Sequence, residues 1–316
     1  MLKSKIPSGK YLPAIFLWLG FLMLAMIALV FLSYSKTTDY TSRASRVQRL
    51  KQAHRYYTPQ AYHLPKEMTD KTGELLNSAN NLATSSIELP ILLYHYIEPL
   101  KPGDRLRDSL TVTPEKLGEQ LNLIKQSGWQ TIFMSQAVAR LKNPLSQKNQ
   151  IALTFDDGYR DFYEYAFPLL KQSNLKATIY VIYDTINAPD YLTEAMIKEM
   201  LASGLVEIGS HTLDHKQLTA IPAAEAKRQI SLSKKMLEER FKIPMITFAY
   251  PYGSFDQTLI DQVKAAGYSA AVSVVAGDEQ SDANRFFLYR LRSTNNYGSQ
   301  LIKSLLFDSY LPLKKP

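Results

Sequence analysis

The sequence predicts an α/β domain over residues 89–316: a parallel sheet covered by helices and curved into a closed or nearly closed β/α barrel, with a doubly wound open sheet as the alternative. Three observations carry this reading. From about residue 89, short apolar runs alternate with helix-like stretches. Seven or eight such units fit into about 225 residues, the length of one barrel domain. Polar residues able to do chemistry follow several of the apolar runs, where a barrel would gather them on one rim.

The segments before the domain read differently. Residues 1–10 form a short tail with Lys3, Lys5 and Lys10. Residues 11–33 (YLPAIFLWLGFLMLAMIALVFLS) carry no charge. That length suits a helix crossing the hydrocarbon core. It exceeds the apolar region of roughly 7–15 residues in a cleaved signal, and only Ser33-Tyr34-Ser35 resembles a small-x-small cleavage site. An uncleaved transmembrane anchor is therefore expected. Lys36, Arg43 and Arg46 balance the lysines of the tail, so the positive-inside rule gives a tie. The short tail makes N-inside the simpler arrangement, which puts the rest of the chain outside the cytoplasm at the cell membrane. Residues 34–88 read as a polar stalk without a core pattern. The net charge of +8 is partly local: residues 43–55 (RASRVQRLKQAHR) hold five Lys/Arg and no acid. Beside an anchor this is a juxtamembrane basic segment, and nucleic acid is not expected as a partner.

Within the domain the expected strands are 91–94 (ILLY), 130–133, 151–155 (IALTF), 177–182 (ATIYVI), 206–209, 246–249, 269–274 and 287–290. Thr113-Pro114-Glu115 opens a helix, with a cap followed by proline in the first turn. Residues 223–241 form another, whose Ala226, Ile230, Leu237 and Phe241 recur at helical spacing and mark a buried face. Apolar residues are 46% of the chain, enough for a sizeable core.

Cysteine is absent, which excludes disulfides and Cys-based zinc sites. A metal would have to be held by His, Asp or Glu, and there are only five histidines: His54, His63, His95, His211 and His215. Asp156 and Asp157 follow IALTF. His211 and His215 follow VEIGS; imidazoles four apart meet on one helical turn or in a tight loop. Each feature has a bland alternative, since Asp-Gly and Pro-Tyr-Gly also make ordinary turns. Taken together, Asp157, His211 and His215 make a three-ligand set for a divalent cation with an open position. Such a cation lowers the pKa of a water and polarises a carbonyl. Asp156 is then free to take the water's proton. His95, after ILLY, is the only other histidine of the domain and is either an acid for the leaving group or a core residue. The Tyr250-Pro251-Tyr252-Gly253 turn follows the strand at 246–249 and can aim a backbone N–H at a developing oxyanion.

These residues resemble the polysaccharide deacetylase family (NodB homology, carbohydrate esterase family 4). TFDDG at 154–158, HTLDH at 211–215 and YPYG at 250–253 look like its three motifs, in family order and about 55 and 40 residues apart. The resemblance spans roughly residues 89–295. It implies a distorted (β/α)7-type barrel and removal of acetyl from an N-acetylated sugar polymer. It implies Asp156 as base, zinc or another divalent metal on Asp157, His211 and His215, and the Tyr252 N–H at the oxyanion. Three departures stand out. The arginine expected two residues before Pro251 is Ala249, with Arg290 and Arg292 as candidate substitutes. No histidine follows His215. The only tryptophans are Trp18 and Trp129. LPILLYHYI resembles the start of the poly-N-acetylglucosamine deacetylase subgroup, in which a His in this segment serves as the acid; that implies His95. The expected substrate is a β-linked N-acetylglucosamine polymer, with peptidoglycan and chitin-type oligomers as close alternatives. A non-catalytic glycan-binding protein and an O-acetyl esterase are the competing readings.

Overall fold

The computed structural model describes residues 86–101, 103–142 and 149–306. The tail at 1–10, the anchor expected at 11–33 and the stalk up to residue 85 lie outside the described residues. Among the described residues, no helix is long and apolar enough to cross a membrane.

Ten strands are described. A short pair, β1 (Ile87–Glu88) and β9 (Glu279–Gln280), runs antiparallel, so two residues expected in the stalk are paired to the domain. The main sheet is parallel throughout. It contains β2 (Ile91–Tyr94), β3 (Gln130–Ile132), β4 (Gln150–Phe155), β5 (Ala177–Val181), β6 (Val206–Ser210), β7 (Thr247–Ala249), β8 (Ala270–Val272) and β10 (Leu291–Arg292). The order is β10-β2-β4-β5-β6-β7-β8, with β3 pairing β4 outside that path. The sheet curls toward a half-barrel, and the segment 288–293 runs along both of its ends. Leu288 bridges Val272 of β8, while Leu291 and Arg292 pair with Leu92 and Leu93 of β2. The last strand was expected at 287–290. It is displaced because this one segment serves two edges, and only the part facing β2 makes a regular ladder.

Seven of the eight expected strands coincide with described ones to within a few residues. β4 is buried at every position from Ile151 to Phe155, and β5 along its whole length. This matches a parallel sheet covered on both faces. Each fully buried Leu or Ile in it contributes about 1.5–3 kcal/mol.

The helices follow from sequence. α1 (Arg105–Leu110) buries none of its residues. α2 (Pro114–Ser127) is capped by Thr113, whose side chain accepts the Lys116 N–H, and ends at Gly128 with φ 73°. That left-handed terminus is what glycine supplies cheaply. α3 (Met134–Lys142), α4 (Phe167–Ser173) and α5 (Glu194–Ala202) follow β3, β4 and β5 along the chain, and α3 packs on β4 and α5 on β6. α6 (Ala223–Phe241) has the expected bounds, and its apolar stripe is buried together with Gln229 and Ser233. α7 (Gln257–Ala265) and α8 (Gly298–Leu306) complete the layer.

Because all the main strands are parallel, their C-terminal ends share one rim. His95 follows β2, Asp156 and Asp157 follow β4, His211 follows β6, and Tyr250 follows β7. The Asp156 N–H donates to Tyr94 O at 3.0 Å, which locks the first two exits side by side.

Candidate active site

The two adjacent aspartates have different surroundings. Asp156 is buried and faces Arg290 in a two-pronged contact: Nη1 to Oδ1 and Nη2 to Oδ2, each 2.8 Å. The guanidinium is fixed in turn by Nε donating to Ser273 O at 2.7 Å and Nη1 to Thr154 Oγ1 at 3.2 Å. Burial works to raise the Asp156 pKa, but Arg290's charge and hydrogen bonds outweigh it and hold the carboxyl below its ordinary value. Of the two candidate substitutes for the missing motif arginine, the one on Asp156 is Arg290. It enters from the segment joining the sheet's two ends rather than from β7. Arg292, two residues on, acts electrostatically on His95. Ala249, where the motif arginine was expected, contributes its carbonyl, 2.8 Å from His211 Nδ1.

Asp157 turns the other way. Its Oδ1 lies 3.3 Å from His211 Nε2 and 3.3 Å from His215 Nε2, and the three ligand atoms lie within 4.8 Å of one another. Facing a carbonyl, Nδ1 of a neutral His211 has to be the protonated nitrogen. Its Nε2 then presents a lone pair to a carboxylate oxygen. That oxygen is buried without a hydrogen-bond partner. A cation among these atoms removes the conflict, so the donor set fits a divalent metal with two imidazoles and one carboxylate. Burial works to raise the Asp157 carboxyl, yet the imidazoles hold it well below the usual range. His211 is shifted upward: its burial opposes the charge, and Asp157 and Asp156 more than compensate.

His211 and His215 sit in a tight loop, not on a helical turn. Thr212 (φ 70°) and His215 (φ 63°) are left-handed, and the His215 N–H donates to Thr212 Oγ1 at 3.0 Å. Asp157 (φ 76°) and Tyr252 (φ 58°) are left-handed as well. Such conformations in non-glycine residues cost roughly 1–3 kcal/mol each and concentrate where geometry serves function.

His95 is buried at the exit of β2. Desolvation pushes its pKa down to about 4, against the pull of Asp157 and Asp156. Tyr252 is 50% exposed, and its ring centroid lies 4.7 Å from that of His215. The sequence-predicted set of Asp156, Asp157, His211, His215, His95 and Tyr252 thus lies along one rim.

Sequence reasoning passed over Gln229. It is fully buried on α6, and its Oε1 accepts the Leu213 and Asp214 N–H groups at 3.0 and 3.2 Å, pinning the histidine loop. A buried glutamine amid an apolar stripe was the available signal. Asp161 was also missed. It is buried, and its Oδ2 accepts the Ile97 N–H at 3.0 Å. Desolvation raises its pKa to about 7.

A curled parallel sheet that presents paired carboxylates and two imidazoles at its strand exits defines a hydrolase class built on a carboxylate–histidine centre. Comparison with known proteins makes the assignment specific. The polysaccharide deacetylase family profile matches residues 144–271. A Bacillus subtilis (strain 168) protein carrying the family's name, YxkH, is 30% identical over 206 residues, covering 65% of this chain and 71% of its own. The poly-beta-1,6-N-acetyl-D-glucosamine N-deacetylase of Staphylococcus aureus (strain MRSA252) is 25% identical over 206 residues, covering 61% and 71%. Among solved structures, the Streptococcus pyogenes deacetylase PplD in complex with acetate superposes with a TM-score of 0.66 at 28% identity, covering 70% of this chain and 99% of that one. This chain belongs to the polysaccharide deacetylase family.

Proposed function

We propose that this protein is a metal-dependent N-deacetylase of an extracytoplasmic polysaccharide containing N-acetylglucosamine. The observation that carries this is the division of labour between the two aspartates: Asp156 is clamped by Arg290, and Asp157 is turned toward His211 and His215. A divalent cation, zinc in this reading, would be held by Asp157, His211 and His215, where it supplies acidity to a water and polarises the acetyl carbonyl.

The chain's own groups do the rest. Asp156, ionised at neutral pH, accepts the proton of the attacking water. Arg290 fixes the carboxylate's direction and makes it a weaker base, a cost accepted for orientation. The Tyr252 N–H donates to the acetyl oxygen as negative charge builds there. His95 delivers a proton to the departing amine. At neutral pH its depressed pKa leaves it unprotonated, so the proton it delivers is the one Asp156 took from the water, passed on to His95 within the site, which returns Asp156 to its ionised form. The apolar run at 11–33 would hold the domain at the outer face of the cell membrane. The S. aureus relative's name supports the substrate class.

The test is to incubate the full chain with N-acetylglucosamine oligomers and measure acetate and free amine together, with and without chelator. Matched acetate and amine, lost with chelator and restored by zinc or cobalt, is the expected result. Acetate without new amine would convert the reading to an O-acetyl esterase. Binding without release of either product would leave a glycan-binding protein.

A further inference from the structure

His95, the proposed proton donor to the departing amine, is aimed by its backbone. Burial and the charges of Asp157, Asp156, Arg292 and Arg290 act on the imidazole, with no hydrogen bond to it among the described residues. Its position therefore follows from how residues 94–97 are held. The Tyr94 carbonyl accepts the Asp156 N–H at 3.0 Å, and the Tyr96 carbonyl accepts the Val112 N–H at 3.0 Å. The Ile97 N–H has a side chain for its partner: Asp161 Oδ2, at 3.0 Å. Asp161 immediately precedes the π-helical turn Phe162–Ala166 and lies four residues past Asp157. Its carboxyl thus ties the segment of the proposed acid to the segment of the proposed base, across 64 residues of sequence.

An acid is a costly choice for this tether. Asp161 is 8% exposed, and its Oδ1 is buried without a hydrogen-bond partner. The cations nearby bond to a different carboxylate: Arg107 forks onto Glu98, and Lys101 lies 2.8 Å from it. Burial raises the Asp161 carboxyl, Glu98 adds to the rise and Arg107 opposes it. A backbone N–H needs only a neutral acceptor, which a carbonyl or an amide supplies with less desolvation. A buried polar atom left unsatisfied beside candidate catalytic groups marks a place where geometry is kept against stability. Ile97 is itself fully buried, so its N–H cannot turn to water without displacing the residues before it.

We propose that Asp161 is a positioning residue that fixes the His95 segment against the turn carrying Asp156 and Asp157, so that acid and base meet on one acetamide. It works through the Ile97 N–H and contacts neither substrate nor imidazole. The proposal rests on the deacetylase reading above, in which an amine departs.

The leaving group supplies the test. An amine must be protonated to depart, whereas p-nitrophenolate leaves unaided, so a displaced acid slows deacetylation and spares p-nitrophenyl acetate. Asp161→Leu in the full chain is expected to lower kcat on the N-acetylglucosamine tetramer about 30-fold, with KM and p-nitrophenyl acetate hydrolysis each changing by less than about two-fold. Asp161→Asn keeps an acceptor for the Ile97 N–H and should bring kcat back to within about three-fold of the parent. The NMR signals of the His95 imidazole, assigned with His95→Gln, should move in Asp161→Leu and return in Asp161→Asn. Asp161→Ala replaces Asp161→Leu should thermal unfolding show that the latter does not fold. An equal loss on both substrates would make Asp161 a purely structural residue and overturn the proposal. Unmoved His95 signals in Asp161→Leu would overturn it as well. A parent chain that releases no amine from the tetramer would sink the deacetylase reading instead, and the His95 signals would still decide whether Asp161 holds that segment.

Discussion

At the scale of single residues, the Arg290–Asp156 pair is the most consequential contact. Both partners are buried, so removing one leaves an uncompensated charge. Arg290→Met should lower unfolding stability by about 3–5 kcal/mol, measured by urea denaturation. Arg290→Lys restores a positive charge but not the planar fork. It should keep most of the stability and still reduce kcat on an N-acetylated oligomer by about 10²-fold, because the carboxylate loses its fixed direction. Equal kcat in Arg290→Lys and the parent would show that the fork does not set the base. The aspartates, the histidine pair and the YPYG turn were legible in the sequence because each lies within a short local pattern. The arginine was legible only as one of two alternatives. Arg290 is 134 residues from Asp156, and no local spacing distinguishes it from Arg292.

At the scale of elements, α6 and the histidine loop behave as one unit. Gln229 holds two backbone N–H groups of the loop from a buried helix face that is apolar apart from it and Ser233. Gln229→Ala leaves those two donors without a partner in the stretch between the two histidines, while the Tyr183 and Asp184 N–H groups still hold the loop through Thr212 O and Leu213 O. Zinc affinity, read by competition with a chelating dye, should fall about 10–100-fold while the helix content stays constant. The helix itself was fully readable, since Ala226, Ile230, Leu237 and Phe241 repeat at helical spacing. What escaped was the role of a polar residue within that stripe, because the pattern shows which face is buried and not what it holds. The final strand escaped for a related reason. Residues 288–293 divide their hydrogen bonds between two edges, and no periodicity of 2 survives such a division.

At the scale of the whole molecule, acid and base should act on stability in an unusual direction. The Asp161 carboxyl is raised to about 7 by burial, against an ordinary value of 3.8. The folded state therefore holds a proton that the unfolded state has released between pH 4 and 7, and stability falls as pH rises through that window. Asp161→Asn retains an acceptor for the Ile97 N–H and removes the titration. Its stability relative to the parent should improve by a few kcal/mol, of order 1.4 per pKa unit, between pH 5 and pH 8. Denaturation midpoints at the two pH values check this; a parallel shift of both proteins would refute it. Membrane attachment is tested at the same scale: full-length protein should sediment with membranes and be released by detergent but not by high salt or alkaline carbonate.

The seam at residues 288–293 gives the molecule a built-in order of assembly. Asp157, His211 and His215 all lie upstream of it, so a chain still emerging from the ribosome already has the residues that could hold a metal before Arg290, the partner of Asp156. Arg290 arrives with the segment whose Leu288 carbonyl accepts the Ser273 N–H at 2.9 Å and whose Ser293 N–H donates to Leu93 O at 3.0 Å. The clamp on Asp156 therefore forms only once the two ends of the sheet have been stitched together. A chain trimmed by a protease just before this stitch would keep Asp157, His211 and His215 and lose the clamp on Asp156.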